Sequence, residues 1–461
     1  MSRHKKSVSL GASLREAMQF LSDRTGQTET VLWALIVRMV VVCLSFQSIA
    51  QVSHDHAAFG AEMGWVARSI ASGHGFSSPF FPSTGPTALM PPLFPYLLAC
   101  VFRVCGVYTS TAAFVILSLD SFLSALTCIP IRMSLLEVVG GRRAQLASWL
   151  WVIYPFAIYF SAVHVWDYAL TSFLFATSFC FAQRIHLHDR SVAWCGFGLL
   201  CGLTVLSNPS VLSTLPFLFL IALLKVRCAG GRWLRCGVVF LLSMILVVAP
   251  WTIRNYLVMH AASPVRDGFW LEFWAGNAGD TSTSNPSWAH PASNPAEMQL
   301  FEKEGEAAYL AHKRSMALTY VGHHPVSFAV VTCRRAIRFW TGFWSVRSEY
   351  LYSEPLDIPN VFFCTSITFL MLRGIFRWWK EDRRELLPYL FLLIVFPIPY
   401  YLTHSSMDYR QPIEPQIIVL VTIGIFGFKD RIASADSPEV TTSRQYQAEP
   451  VMAYTSSRKS L

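Results

Sequence analysis

Long apolar runs alternate along the chain with polar turns. A helix rising about 1.5 Å per residue needs about 20 mostly apolar residues to cross the hydrocarbon of a bilayer. Ten runs meet or approach that length: 31–50, 111–131, 144–160, 168–181, 192–206, 211–224, 238–251, 359–376, 386–402 and 413–428. The pattern predicts an all-α polytopic membrane protein with about ten transmembrane helices. Two polar segments are long, 51–110 and 252–357, and long polar segments are where function tends to sit. No repeat of domain-building length is visible. The stretch after Ala433 is Ser/Thr-rich and apolar-poor and reads as disordered.

The first polar segment carries its own helical pattern. Phe59, Met63, Val66 and Ile70 share one face of a helix over 58–72, with Arg68 opposite. This predicts an amphipathic helix lying at the membrane surface. At about 100° per residue, Glu62 projects about 70° from the centre of the apolar stripe. Gly73 to Gly75 end the helix, and 76–92 reads as a Pro/Gly/Ser/Thr-rich loop. Pro91-Pro92 then opens a second short apolar helix, 93–104.

Charge orients these runs. Arg132, Arg142, Arg143, Arg184, Arg190, Lys225, Arg227, Arg232, Arg235, Arg377, Lys380, Arg383 and Arg384 all fall in alternate loops. The short intervening loops are nearly free of Lys and Arg, which places both termini in the cytoplasm. The organisation expected is a cytoplasmic segment 1–30, a transmembrane catalytic module 31–251, an outer segment 252–357, C-terminal helices 358–430 and a cytoplasmic tail 431–461. The first apolar run starts too late for a cleavable signal peptide and reads as a retained span.

Composition agrees. Of the 461 residues, 53% are hydrophobic and only 14% charged, with a mean hydropathy of +0.41. Soluble domains carry about 25% charged residues. The net charge of +9 is accounted for by the loop pattern. No basic run is interleaved with aromatics in the manner of nucleic-acid binding. The 11 cysteines form no CxxC pair and read as free thiols.

Several short motifs then stand in order: Phe59-Gly60-Ala61-Glu62; Ala67-Arg68 through Gly73-His74-Gly75-Phe76; Thr84-Gly85-Pro86-Thr87; Pro91-Pro92-Leu93-Phe94; Trp166-Asp167; Asn208-Pro209; Pro250-Trp251-Thr252-Ile253-Arg254-Asn255-Tyr256; Gly276-Asn277; and Asp408-Tyr409-Arg410-Gln411-Pro412. Over roughly 30–430 this series resembles the GT-C class of integral membrane glycosyltransferases. More narrowly, it is similar to the family 39, protein O-mannosyltransferase-like bacterial group that includes aminoarabinose lipid A transferases. The resemblance implies the GT-C fold in a bacterial inner membrane. It implies transfer of a sugar from a polyprenyl-phosphate carrier to a hydroxyl of a lipid, glycan or protein on the outer face. An acid of the first outer loop would serve as base. Many members carry an Asp-Glu pair where this chain has Phe59-Gly60, which leaves Glu62 and Asp55 as the nearest acids.

The candidate site residues follow. Glu62 is either the general base or a solvated charge at a helix edge, with Asp55 the other candidate base. A carboxylate base and direct displacement would invert the anomeric centre. Asp167 either binds the acceptor, shares a metal with Glu62, or caps a helix. Arg254 and Arg410 either hold the carrier's phosphate or snorkel to headgroups. Asn255 and Tyr409 beside them are taken as substrate-binding. Arg334, Arg335 and Arg338 are expected to face headgroups. Asp120 inside the second span is either functional or a helix-packing hydrogen bond. His54, His56, His164, His290 and His404 lie on the predicted outer side without metal-ligand spacing, so no cofactor is assigned and a divalent metal stays open. Two other function classes remain: a transporter or flippase of a lipid-linked substrate, and a catalytically silent relative.

Overall fold

The computed structural model describes residues 10–51, 57–80, 83–185, 190–260, 263–278, 287–344 and 357–428. Asp55, His54, His56 and the tail beyond 428 lie outside them. The described residues are mostly helical, with no β-strand among them beyond one isolated bridge between Ser77 and Pro86. The helices are α1 (Leu10–Gln51), α2 (Ala61–Ala71), α3 (Leu93–Cys105), α4 (Ser110–Leu126), α5 (Cys128–Val139), α6 (Gly141–Val152), α7 (Pro155–Ala162), α8 (Tyr168–Arg184), α9 (Ser191–Ser207), α10 (Leu215–Cys228) and α11 (Trp233–Met259). Then follow α12 (Phe269–Asn277), α13 (Pro295–Glu304), α14 (Glu306–His323), α15 (Pro325–Thr341), α16 (Asp357–Glu381), α17 (Arg383–Val395), α18 (Ile398–Leu402) and α19 (Glu414–Phe426).

Five segments are long and apolar enough to cross a membrane: Thr25–Ala50, Ser110–Val139, Trp233–Met259, Ile358–Glu381 and Arg383–Leu402. The chain is a multi-pass membrane protein. The other apolar runs of the sequence form shorter helices, and proline explains where several stop. Pro155 lacks an N–H and disfavours a helical residue before it, so the run 144–160 divides into α6 and α7. Pro397 likewise separates α17 from α18.

Breaks inside a membrane leave carbonyls unpaired, and arginines answer them. Arg38, inside the first apolar run and fully buried, donates to the carbonyls of Trp151 at 3.1 Å and Val152 at 3.4 Å, the last residues of α6. Its Nε donates to Ser124 Oγ at 2.9 Å, so one guanidinium ties α1, α4 and α6 together. Arg377 of α16 does the same at the end of α19, donating to Ile423 and Gly424 carbonyls at 3.1 and 3.0 Å. These cations meet the carbonyl ends of helices, where the peptide dipoles favour positive charge. Gly374 and Gly424 let α16 and α19 cross at backbone contact, since a Cβ on either would run into the other helix's carbonyls.

Two expectations are corrected. The helix α2 does not present a free polar face, because protein encloses it on most sides. Phe59, Met63, Val66 and Ile70 are buried, but so are Trp65 and Ala67 on its other sides. The amphipathic pattern fixes the inward face, yet the neighbouring segments cover the rest: Phe59 packs edge-on to Phe102 of α3, and Arg103 donates to the Ile70 carbonyl at 3.1 Å. Nor do Arg335 and Arg338 face headgroups. Both are buried, and Arg335 donates to Asn277 Oδ1 and the Leu402 carbonyl at 3.0 and 3.1 Å, and to the Gly276 carbonyl. The guanidinium pairs the carbonyls that end α12 and α18, which have no intrahelical partner.

Candidate active site

The carboxylates of interest stand at helix beginnings: Glu62 in the first turn of α2, Asp167 just before α8, Glu272 in the first turn of α12, Glu306 opening α14, and Glu414 opening α19. A helix N-terminus carries partial positive charge and free N–H groups, so it suits a carboxylate. Glu62 and Glu272 share His290 as a neighbour, and Asp167 and Glu272 share Arg266.

Glu62 is held in place by an unusual turn. Gly60, just before α2, has φ 90°, and the Val165 carbonyl stands 2.7 Å from where a Cβ would sit. Only glycine fits. The same contact brings the Glu62 turn beside the Val165–Asp167 stretch. Gly60→Ala is therefore expected to destabilise the protein by about 1–3 kcal/mol, measured as thermal unfolding in detergent. An unchanged transition would show that the turn is not strained.

Glu62 keeps 12% of its side chain accessible and faces His290 Nε2 at 3.5 Å. His290 in turn packs edge-on against Phe80 of the first polar segment. Beyond it lies a charged cluster. Glu272 Oε1 pairs with Arg266 Nη2 at 3.2 Å, and Oε2 faces His404 Nδ1 at 3.4 Å. Burial opposes ionisation of Glu272, but His404, Arg266 and His290 outweigh it and hold the carboxyl below the usual range. His404 is shifted down by burial, against the pull of Glu272 and Asp408, which favours its neutral form. Its Nε2 meets the Tyr409 hydroxyl, and Tyr409 stacks on Tyr400 with ring centres 4.7 Å apart. Asp408 Oδ2 accepts from Tyr168 at 2.5 Å.

Asp167 occupies the capping position of α8 but captures no backbone N–H. Its Oδ2 accepts from Thr171 at 2.9 Å and Asn208 at 3.2 Å, and Oδ1 has no partner among the described residues. Burial pushes this carboxyl up to about 6, opposed by the Thr171 and Asn208 bonds and the charge of Arg266. Asp120, fully buried, has no partner on either oxygen among the described residues, so no packing hydrogen bond is seen there.

The arginines are placed differently from one another. Arg254 donates to the Phe76 and Thr87 carbonyls at 2.7 and 2.6 Å and stacks over Phe76 and Trp251. Asn255 is buried and donates to the Ser263 and Val265 carbonyls, which shapes the turn leading into Arg266. Arg410 keeps 2% of its side chain accessible and pairs with Glu414 at 2.7 Å. Arg266 keeps 33%. Sequence reading missed Arg266 and Glu272, which stand in no motif; their signal is a charged pair at i and i+6 flanking an aromatic run. Among the described residues, no group of three or more His, Cys, Asp and Glu gathers to hold a metal.

This helical architecture has solved counterparts. Two structures of an oligosaccharyltransferase from Archaeoglobus fulgidus superpose with TM-scores of 0.53 and 0.50, at 13% and 14% identity, over 86% and 87% of this chain. The chain has the GT-C fold. It spans half the length of those two GT-C relatives. The first was solved with an inhibitory peptide and a dolichol-phosphate. ArnT from Cupriavidus metallidurans, bound to undecaprenyl phosphate, matches at a TM-score of 0.35 and 15% identity, over 86% of this chain and 77% of its own. No protein-family model matches the chain, and no curated protein does.

Proposed function

We propose that this chain is a glycosyltransferase that takes a sugar from a polyprenyl-phosphate carrier and passes it to a hydroxyl of a lipid, glycan or protein, at the outer face of a bacterial inner membrane. The observation that carries the reading is the partly accessible Glu62 carboxylate beside His290, with Arg266 reaching the same cluster through Glu272. The archaeal protein of like fold binds a dolichol-phosphate, which supports a polyprenyl-phosphate carrier.

Glu62 accepts the proton of the acceptor hydroxyl. The freed oxygen attacks the anomeric carbon, the bond from that carbon to the carrier's phosphate oxygen breaks, and its electron pair leaves with the phosphate. Attack opposite the leaving group inverts the anomeric centre. Arg266 receives the phosphate: it is a planar donor with a third of its side chain open, whereas Arg410 is sealed in an ion pair and Arg254 is spent on carbonyls. Asn255 and Tyr409 act behind it, Asn255 through the Ser263–Val265 backbone and Tyr409 through His404. Asp167, with one oxygen unpartnered, is assigned to the acceptor side.

The test is consumption of a panel of polyprenyl-phosphate sugars by the purified protein with bacterial membrane extract. Release of polyprenyl phosphate from one donor is expected, and that donor names the sugar. No release across the panel would overturn the reading and bring the transporter and the silent relative forward.

A further inference from the structure

Residues 87–89 of the first polar segment are fully buried and fastened by three separate elements. The Thr87 carbonyl accepts from Arg254 Nη1 of α11 at 2.6 Å. The Ala88 N–H donates to Glu306 Oε1, at the start of α14, at 2.6 Å. The Ala88 carbonyl accepts from the Asp267 N–H at 2.9 Å. The Leu89 carbonyl accepts from Arg266 Nε at 2.7 Å. The far end of that same Arg266 guanidinium reaches Glu272. A strap of three residues thus connects Glu306 to Arg266.

Glu306 stands out within this arrangement. It is a carboxylate only 6% exposed, 218 residues from Ala88 in sequence, and its Oε2 has no partner among the described residues. Burying a carboxylate costs free energy that its hydrogen bonds must offset, and Glu306 makes one to the Ala88 N–H. We propose that Glu306 is a positioning residue for the active site: by holding the Ala88 N–H it fixes the 87–89 strap, and through the Leu89 carbonyl it fixes the direction in which Arg266 presents its guanidinium to a phosphate. This rests on the assignment of Arg266 to the carrier's phosphate.

The groups around Glu306 set how the strap responds to pH. Burial raises its carboxyl to about 7, opposed by the nearby Thr87 hydroxyl and the Ala88 N–H; Asp267 raises it further, and Arg254 lowers it. The ionised form is the stronger acceptor. The strap is therefore held more tightly above pH 7 than below it. Stability runs the other way. The folded value lies above the ordinary carboxylate range, so ionising Glu306 costs the fold stability, a cost absent below about 4.5 and fully present above about 7.

Two measurements on the full chain in nanodiscs test this: hydrogen exchange of the Ala88 amide, and binding of undecaprenyl phosphate. Glu306→Ala is expected to speed exchange at Ala88 and to weaken binding, each by about tenfold, the loss expected for a charge-assisted hydrogen bond. Glu306→Gln keeps an acceptor oxygen without a titrating proton. It should restore both, and the ratio of wild-type to Gln protection at Ala88 should rise between pH 6 and 8. Unchanged exchange in the Ala variant, a pH-independent ratio, or a loosened strap with binding intact would each overturn the proposal. If the wild type itself binds no undecaprenyl phosphate, the Arg266 assignment falls, and the exchange measurements still decide whether Glu306 holds the strap.

Discussion

Glu62→Gln is expected to lower sugar transfer by about 10²–10⁴-fold, the contribution of a positioned general base, while polyprenyl-phosphate binding stays unchanged. The amide has the shape of the carboxylate and cannot take a proton. The substitution touches little else. The residues that pack α2 are Met63, Trp65, Val66 and Ile70, and Glu62 is the side chain at its edge that keeps access to His290. Single-turnover release of polyprenyl phosphate, with binding measured alongside, separates the two effects. Transfer retained in the Gln variant would move the base to another acid, and Asp167 is next in line because its Oδ1 is unpartnered.

The largest effect on stability is expected at Arg410. Arg410 and Glu414 are paired at 2.7 Å with almost no accessible surface, and Glu414 Oε2 also accepts from the Tyr154 hydroxyl at 2.7 Å. Arg410→Met leaves Glu414 buried with its cation gone, which costs about 3–5 kcal/mol in comparable buried pairs. The double variant Arg410→Met, Glu414→Gln removes both charges and should recover much of that loss. Unfolding in detergent reads both. A double variant as unstable as the single would show that the pair is not what holds 410–414 against Tyr154.

The sequence by itself determined the helical elements and where many of them end. Apolar runs of membrane length can be satisfied in lipid only as helices, and proline stops a helix wherever it falls, so Pro155 and Pro397 are readable without coordinates. The motifs also identified Glu62, Asp167 and the Asp408–Arg410 stretch as places of interest. Tertiary structure decided the rest. Hydrophobic periodicity tells which face of α2 is buried, but not what covers the other faces, so a helix that reads as surface-lying is enclosed. An arginine in the sequence carries no sign of its partner. Arg38 and Arg335 meet carbonyls that only the breaks in other helices leave free, and Arg254 meets the first polar segment. The candidate site itself is made of such distant meetings: Glu62 with His290, Glu272 with His404, and Ala88 with Glu306. Each joins residues far apart in the chain. Local pattern constrains neighbours within a turn or two, whereas these pairs are selected by the packing of segments distant in sequence.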